Sequence, residues 1–296
     1  MPSALVTGTS TGIGKACVAR LAERGWTVFA GVRRREDGER LQAEHHNGVH
    51  PVILDVSNRE HIHRVIDDIT GEVGERGLQG LVNNAGVGVG GPIEYLREDD
   101  WRFVFDVNLF GVVALSQAAT PLLRAGRGRI VHIGSIGGRI SLPGLAPYNA
   151  SKHAIEALAE TMRNEFRLSG TPIRVALIEP GAVKTAIWDK GDTTVDEIEQ
   201  RLDGVGRSRY RWLVDLARGF IDDGRRVGIP GSRVADAVEH ALTADRPKLR
   251  YLVGPDAKLS GHIAARAPDR VRDAFIRMAS KRYERRGRKV RPKRAA

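Results

Sequence analysis

Apolar residues fall in short runs separated by longer stretches of helical period. Ser3–Thr7, Thr27–Val32, Val49–Leu54, Leu78–Val82, Arg129–Ile133, Ile173–Ile178 and Leu249–Val253 each read as a strand. Between them, Lys15–Glu23, Glu36–Glu44, Glu60–Val73, Asp99–Leu123 and Tyr148–Leu168 space their apolar residues as helices do; in the first, Val18, Leu21 and Ala22 share one face. The strands are nearly all apolar instead of alternating, which predicts burial on both faces. Regular strand–helix alternation predicts βαβ units: an α/β chain with one doubly wound, mainly parallel sheet of about seven strands and helices on both faces. This domain is expected to occupy residues 1–280. Thr185–Gly231 breaks the rhythm. It is rich in glycine and charge, with Trp188, Tyr210, Trp212 and Phe220 scattered through it, and reads as a lid inserted near the strand ends.

Composition adds little for most of the chain. With 296 residues, 41% hydrophobic and 28% charged, it is an ordinary globular protein, long enough to bury a core without disulfides. Its one cysteine, Cys17, cannot form an internal disulfide, which suits a reducing cytoplasm. The first residues lack the basic stretch and apolar run of a signal peptide, and no continuous apolar run approaches the ~18 residues of a membrane span. The net charge of +11 is concentrated at the end: residues 281–296 hold nine basic side chains and one acid, Glu284. Like charges repel and few apolar residues offset the ordering entropy, so this tail is expected to be disordered, with at most a weak contact to anionic membrane. It has one aromatic, Tyr283, and no nucleic-acid motif, so specific nucleic-acid recognition is not expected. Val271–Met278, just before it, reads as a docked helix.

Chemistry enters at Thr7-Gly8-Thr9-Ser10-Thr11-Gly12-Ile13-Gly14, which follows the first strand and opens the first helix. Glycines let the backbone turn sharply and approach a pyrophosphate, and the helix N-terminus presents free N–H groups to it. The spacing G-x-x-x-G-x-G differs from the usual dinucleotide fingerprint. In its T-G-x-x-x-G-I-G form it resembles the short-chain dehydrogenase/reductase family, whose Rossmann-type fold matches the alternation above. That resemblance implies cofactor contacts at Gly8, Ser10, Thr11, Gly12, Ile13 and Gly14.

Six further segments match the family. Asp55-Val56 stands where the family's Asp contacts the adenine, and Asn84-Ala85-Gly86 lies in an N-N-A-G turn after the fourth strand. Pro180, Gly181, Val183 and Thr185 resemble the family's turn at the nicotinamide, with Thr185 at its carboxamide-binding position. Tyr148 and Lys152 form a Y-x-x-x-K pair whose spacing of four puts both side chains on one helix face. A free phenol titrates near ~10, and a neighbouring ammonium is expected to lower that value and make Tyr148 a usable acid/base. Ser135, thirteen residues earlier, matches the family's serine that hydrogen-bonds the substrate oxygen. Asn108 matches its N-x-x-G asparagine, which the resemblance assigns to a water relay from the Lys. No metal site is assigned.

Cofactor choice is read at the end of the second strand, where dinucleotide folds place an acid for the ribose 2′-OH or an Arg for a 2′-phosphate. Here Val32 stands at the acid's position, followed by Arg33, Arg34 and Arg35. NADP(H) is therefore expected over NAD(H), with Arg33 and Arg34 as the contacts. The family's basic residue before Gly12 is replaced by Thr11. The substrate side is expected to be apolar (Val87, Val89, Ile140, Leu142, Pro143, Leu145, Ile187 and Trp188) and to suit a lipophilic alcohol, ketone or aldehyde. The chain is similar to the hydroxysteroid and retinol dehydrogenase branch. The long helices, with Val112, Val113, Leu115, Ile155, Leu158 and Met162, point to a homodimer or homotetramer. The alternative is a non-catalytic NADP(H)-sensing protein on the same fold.

Overall fold

The computed structural model describes residues 1–45, 48–185, 188 and 191–290. In chain order the elements are β1 (Ser3–Thr7), α1 (Gly12–Glu23), β2 (Thr27–Val32), α2 (Arg35–Glu44), β3 (Val49–Ile53), α3 (Arg59–Val73), β4 (Gly80–Asn83), α4 (Glu98–Phe105), α5 (Gly111–Ala125), β5 (Arg129–Ile133), α6 (Ala146–Leu168) and β6 (Arg174–Pro180). There follow β7 (Val183–Lys184), α7 (Gly191–Arg201), α8 (Gly204–Arg209), α9 (Arg211–Val227), β8 (Ile229–Pro230), α10 (Gly231–Thr243), β9 (Arg250–Val253), α11 (Pro255–Arg266) and α12 (Asp269–Val290).

Seven strands form one sheet in the order β3-β2-β1-β4-β5-β6-β9, all parallel. Side chains alternate across it. Leu5, Phe29, Leu81, Ile130 and Leu177 face α3, α5 and α6, while Val6, Val28, Val82, Val131 and Ile178 face α1 and α10. Two covered faces explain strands that are apolar at every position. The chain builds outward from β1 to β3, then crosses back to β4. The strand order reverses beside β1, and such reversals open a crevice at the carboxyl ends of the strands.

The predicted helix Asp99–Leu123 is two helices joined by a π-turn, Asp106–Phe110. The segment Glu98–Ala125 has the length and hydropathy of a membrane span. That hydropathy has a local cause, because Val104, Leu115, Ala119 and Leu123 are fully buried against the sheet. Val112, Leu115 and Ile155, which suggested an assembly face, lie in the core, while Phe103 of α4 and Phe110 of the π-turn are large apolar side chains left exposed.

The lid is helical. Its helices α7 to α9 close on a small core of Val195, Leu202, Val214 and Ile221, and the two-strand ladder β7-β8 pins its base. Ile187 lies outside the described residues. The tail departs from expectation. Residues 281–290 are not disordered but form the last turns of α12, packed along α9. Glycines allow the approach: a Cβ at Gly287 would lie 1.7 Å from the Asp215 carbonyl oxygen, and one at Gly219 would lie 1.9 Å from that of Tyr283. Arg286 pairs with Asp222 and with Asp223 (3.0 Å), so the tail's charge is partly neutralised by lid acids. Rings stack edge to face from Trp188 to Phe220 to Tyr283, tying α12 into the lid.

Candidate active site

The turn between β1 and α1 is shaped for an external anion. Gly8 and Gly12 hold left-handed backbone (φ +67 and +60) that side-chain-bearing residues rarely adopt. A Cβ at Gly14 would sit 2.2 Å from the Gly8 carbonyl oxygen, so only glycine fits where the turn folds on itself. Thr11, the N-cap of α1, makes no side-chain cap, and the first turn carries no acid. The leading N–H groups are thus left to an acceptor from outside, as phosphate-binding turns require.

Neighbouring strand ends complete this edge. The Asn84 amide donates to the carbonyls of Thr7 (2.8 Å) and Gly8 (3.0 Å), and the Thr7 hydroxyl accepts from the backbones of Asn84 and Ala85 (both 2.9 Å). These bonds lock the glycine turn to the end of β4. Asp55, past β3, accepts from the Ser57 backbone (2.9 Å) and hydroxyl (2.6 Å). Burial alone would raise its carboxyl, yet the Ser57 hydrogen bonds and the charge of Arg33 hold it below the usual range. Arg33 and Arg34 leave β2 exposed on the same side, while Val32 is buried. Val56 and Val183 are core residues. Thr185 faces the glycine turn; a Cβ at Gly12 would be 3.0 Å from its methyl. The Gly181 turn is fixed by Asp256 of α11, which accepts from the Ala182 N–H (2.7 Å). The residues present therefore fit a dinucleotide: a glycine cradle, an uncapped helix start, an acid at one end and a threonine at the other.

Ser135, Tyr148, Lys152 and Asn108 converge beside it. Ser135, just past β5, accepts from the Gly137 N–H (3.0 Å) and is hydrogen-bonded to the Tyr148 phenol. Lys152 is buried one turn on, its ammonium 5.7 Å from the Tyr148 ring centre and donating to the Ile133 carbonyl (2.8 Å). Burial pushes Lys152 down to about 8. The same burial raises the Tyr148 phenol above its usual value, and the Ser135 hydrogen bond only partly offsets it. Desolvation of the phenolate is thus the larger influence on Tyr148. Burial at this position favours the protonated phenol.

Asn108 sits in the π-turn, a rare geometry that recurs at functional sites. Its Oδ1 accepts from the Val87 N–H (2.8 Å) and its Nδ2 donates to the Val87 carbonyl (2.9 Å) and the Ser151 hydroxyl (3.0 Å). It thereby fixes the loop after Gly86 and the first turns of α6. A Cβ at Gly86 would meet both the Asn108 amide oxygen (3.4 Å) and Lys152 Nζ (3.8 Å), so this turn too reaches the centre.

Two loops and the lid enclose the substrate side. The Gly91 N–H donates to the Gly144 carbonyl (2.8 Å). Ile198 of α7 packs on Gly90 and Gly91, and Leu213 of α9 presses on Gly144. Sequence reasoning missed these lid contacts, although α9 carries a legible apolar period in Leu213, Leu216, Ala217 and Phe220. It also missed Asp256 and a buried acid in β6, Glu179, paired to Arg139. An acid inside an otherwise apolar strand was the available signal.

The family described as short chain dehydrogenase matches residues 2–196. The chain is 34% identical to an NADPH-dependent 3-dehydrocapnine reductase of Ornithobacterium rhinotracheale, over 93% of this chain and 96% of that one. It is 36% identical to retinol dehydrogenase 7 of Rattus norvegicus, over 92% and 86%. Among solved structures it resembles a Burkholderia phymatum short chain dehydrogenase/reductase in complex with NAD (TM-score 0.72, 26% identity, 84% and 88% covered). It also resembles a Burkholderia cenocepacia short chain dehydrogenase in complex with NADP (TM-score 0.70, 25% identity, 93% and 97% covered).

Proposed function

The chain belongs to the short-chain dehydrogenase/reductase family of oxidoreductases, and on that premise we propose that it moves a hydride between NADP(H) and a lipophilic secondary alcohol, ketone or aldehyde, with Tyr148 as general acid/base. The observation that carries this reading is the convergence of Ser135, Tyr148 and Lys152 beside the glycine cradle. When bound, the nicotinamide supplies or takes up the hydride. The protein's part is the proton. Ser135 and Tyr148 would grip the substrate oxygen, Tyr148 would give its phenolic proton to a carbonyl oxygen, and Lys152 would hold the charge beside the phenolate so formed. A phenol kept protonated starts carbonyl reduction without a prior proton shift. In the opposite direction Tyr148 must first lose that proton.

The choice of NADP(H) rests on Arg33, exposed at the end of β2 within electrostatic reach of Asp55, and on the absence of an acid at Val32. One relative is NADPH-dependent by name, while the two similar structures hold NAD and NADP. An apolar substrate is favoured by Val87 and Val89 in the loop after β4 and by Leu145, Ile198 and Leu213, which pack on Gly90 and Gly144 of the two loops beside the catalytic side chains. A homodimer or homotetramer is part of the proposal, supported by the exposed Phe103 and Phe110. So is a cytoplasmic location, supported by a lone, buried Cys17. Contact with anionic membrane would fall to the exposed basic face of α12, including Arg285 and Lys289, and reversing these two charges should abolish any salt-sensitive liposome binding.

Tyr148→Phe tests the core of the reading. Turnover of lipophilic ketones with NADPH should fall by at least about 10²-fold, the usual share of general acid catalysis, while NADPH binding followed by nicotinamide fluorescence stays within about twofold. Wild-type protein that binds NADPH but turns over none of a broad panel of carbonyls and alcohols would instead favour a sensing protein.

A further inference from the structure

Beneath the catalytic residues lies a buried charge cluster that the proposed chemistry does not use. Glu179, in strand β6 immediately before Pro180, is fully buried. Arg139 grips it with both prongs of its guanidinium: Nη2 donates to Oε2 at 2.7 Å, and Nε donates to Oε1. A second carboxyl, Glu156 of α6, faces Glu179. Glu156 Oε2 accepts from Arg250 Nε of β9 (2.8 Å), and the other end of Arg250 reaches Glu160 of α6 (2.9 Å). From α12, Arg272 donates to the backbone carbonyl of Arg139 (3.1 Å) and leaves the carboxyls to the other two arginines.

Two features of this cluster call for a proton. Glu179 and Glu156 are both withdrawn from water and face each other, so ionising both sets two like charges together. In addition, Glu156 Oε1 is buried and accepts no hydrogen bond from any of the described residues. A carboxylate oxygen left so is costly, and the neighbour that can offer it a hydrogen is the Glu179 carboxyl in its acid form. Burial, with the Glu156 charge, raises Glu179 to about 7 in spite of Arg139.

Position gives the cluster its meaning. Arg139 follows Ser135–Gly138 and leads into the substrate loop. Glu156 is one helical turn after Lys152, and a Cβ at Gly138 would strike the Lys152 carbonyl (2.8 Å) and Glu156 Cγ (3.4 Å). Glu179 precedes the Pro180-Gly181 turn. We propose that Arg139, Glu179 and Glu156 form a proton-sharing clamp that holds Ser135, the Tyr148–Lys152 helix and the Pro180-Gly181 turn in register, and that loss of the shared proton loosens it. These are positioning residues; none is offered as touching substrate. The inference rests on the proposed oxidoreductase reading only for its kinetic arm.

Glu179→Gln tests it, because glutamine keeps an acceptor for Arg139 and offers Glu156 a permanent donor. In the wild type, kcat/KM for ketone reduction should fall about tenfold further between pH ~6 and ~8 than in Glu179→Gln; a contribution from Lys152, near 8, is common to both, and the excess is the limb due to the clamp's proton. Glu179→Gln should retain most of the activity seen at pH ~6 and lack that limb. Glu179→Ala should lose at least tenfold in kcat with NADPH affinity little changed. A second readout needs no turnover: infrared difference spectra should show the carbonyl stretch of a protonated carboxylic acid in the wild type, bleaching near neutral pH and absent in Glu179→Gln. If Glu179→Gln does not fold, Glu156→Gln must remove the same band. Superimposable pH profiles, or no such band in the wild type, would overturn the clamp. A missing band leaves the oxidoreductase reading standing, and a protein without turnover that shows the band leaves the clamp standing.

Discussion

Gly287→Ala puts the docking of the C-terminal helix to a quantitative test. In an exposed helix interior alanine is better than glycine by about 1 kcal/mol, so propensity alone predicts a gain. Packing predicts the reverse. The new methyl would lie 1.7 Å from the Asp215 carbonyl oxygen and 2.5 Å from its carbon, both backbone atoms of α9 that cannot rotate away. Ordinary contact needs more than ~3 Å, so the helices must part by over ~1 Å, and overpacking of this kind typically costs 1–3 kcal/mol or more. Parting them also strains the Arg286 pairs with Asp222 and Asp223 and the Phe220–Tyr283 ring contact at 5.4 Å. We expect a net loss of about 1–3 kcal/mol by urea denaturation, or roughly 2–4 °C in Tm per kcal/mol for a chain of this size. Because α9 carries Leu213 against Gly144, the Michaelis constant for the lipophilic substrate should rise as well. Gly71→Ala in α3 is the control. A Cβ there meets nothing within 4 Å, so the propensity gain of about 0.5–1 kcal/mol should appear unopposed. If Gly287→Ala matched Gly71→Ala in stability, α12 would not be packed on α9 as described.

Arg33→Ala should raise the Michaelis constant for NADP(H) by about 10- to 100-fold, the worth of one charge-assisted hydrogen bond, and that for NAD(H) far less, in steady-state kinetics with both cofactors. Asn58→Ala removes the side chain that accepts from Glu60 (2.9 Å) and His61 (3.2 Å) at the start of α3, and should lower unfolding free energy by about 1 kcal/mol without changing kinetics. Lys152 has a folded-state value near 8, below its unfolded value of ~10.4, so its burial penalises the fold below pH 8 and the penalty fades as pH rises through that window. Lys152→Met should therefore be inactive yet melt higher than wild type at pH 7, with the gap closing toward pH ~10. If the proposed oligomer pairs through the exposed Phe103–Phe110 face, Phe110→Glu should sediment as a monomer where the wild type does not.

The features legible in the sequence are those whose physics is local. β1 and β2 were read to the residue because a strand buried on both faces leaves an unbroken apolar run between turns. Tyr148 and Lys152 were legible because a spacing of four on a helix fixes their neighbourhood whatever the rest of the chain does. Their proton affinities were not. Two side chains on one face say that an ammonium is near, but whether it outweighs desolvation depends on how deeply β5 and the loop after β4 cover them. The contacts of Asn108 were not legible for a related reason: the π-turn that turns its amide toward Val87 and Ser151 has no signature in the residues Asp106–Phe110 themselves.

The C-terminal segment shows where composition misleads. Counted alone, residues 281–296 are a run of like charges that should repel and stay unfolded. The count omits partners supplied from elsewhere in the chain. Arg286 meets Asp222 and Asp223 from a helix sixty-odd residues earlier, Arg282 reaches Asp223 as well, and Arg288 reaches Asp215 and its own neighbour Glu284. Such exposed pairs contribute little individually, at most about 1 kcal/mol each. What orders the helix is the close crossing at Gly219 and Gly287, which lets Tyr283 lay its ring against Phe220 and through it against Trp188. The ion pairs remove the electrostatic objection to that packing; they are not its cause. A glycine in the middle of a basic helical stretch was therefore the informative letter, because Gly287 is costly in an isolated helix and gains its value only where a second backbone must come close.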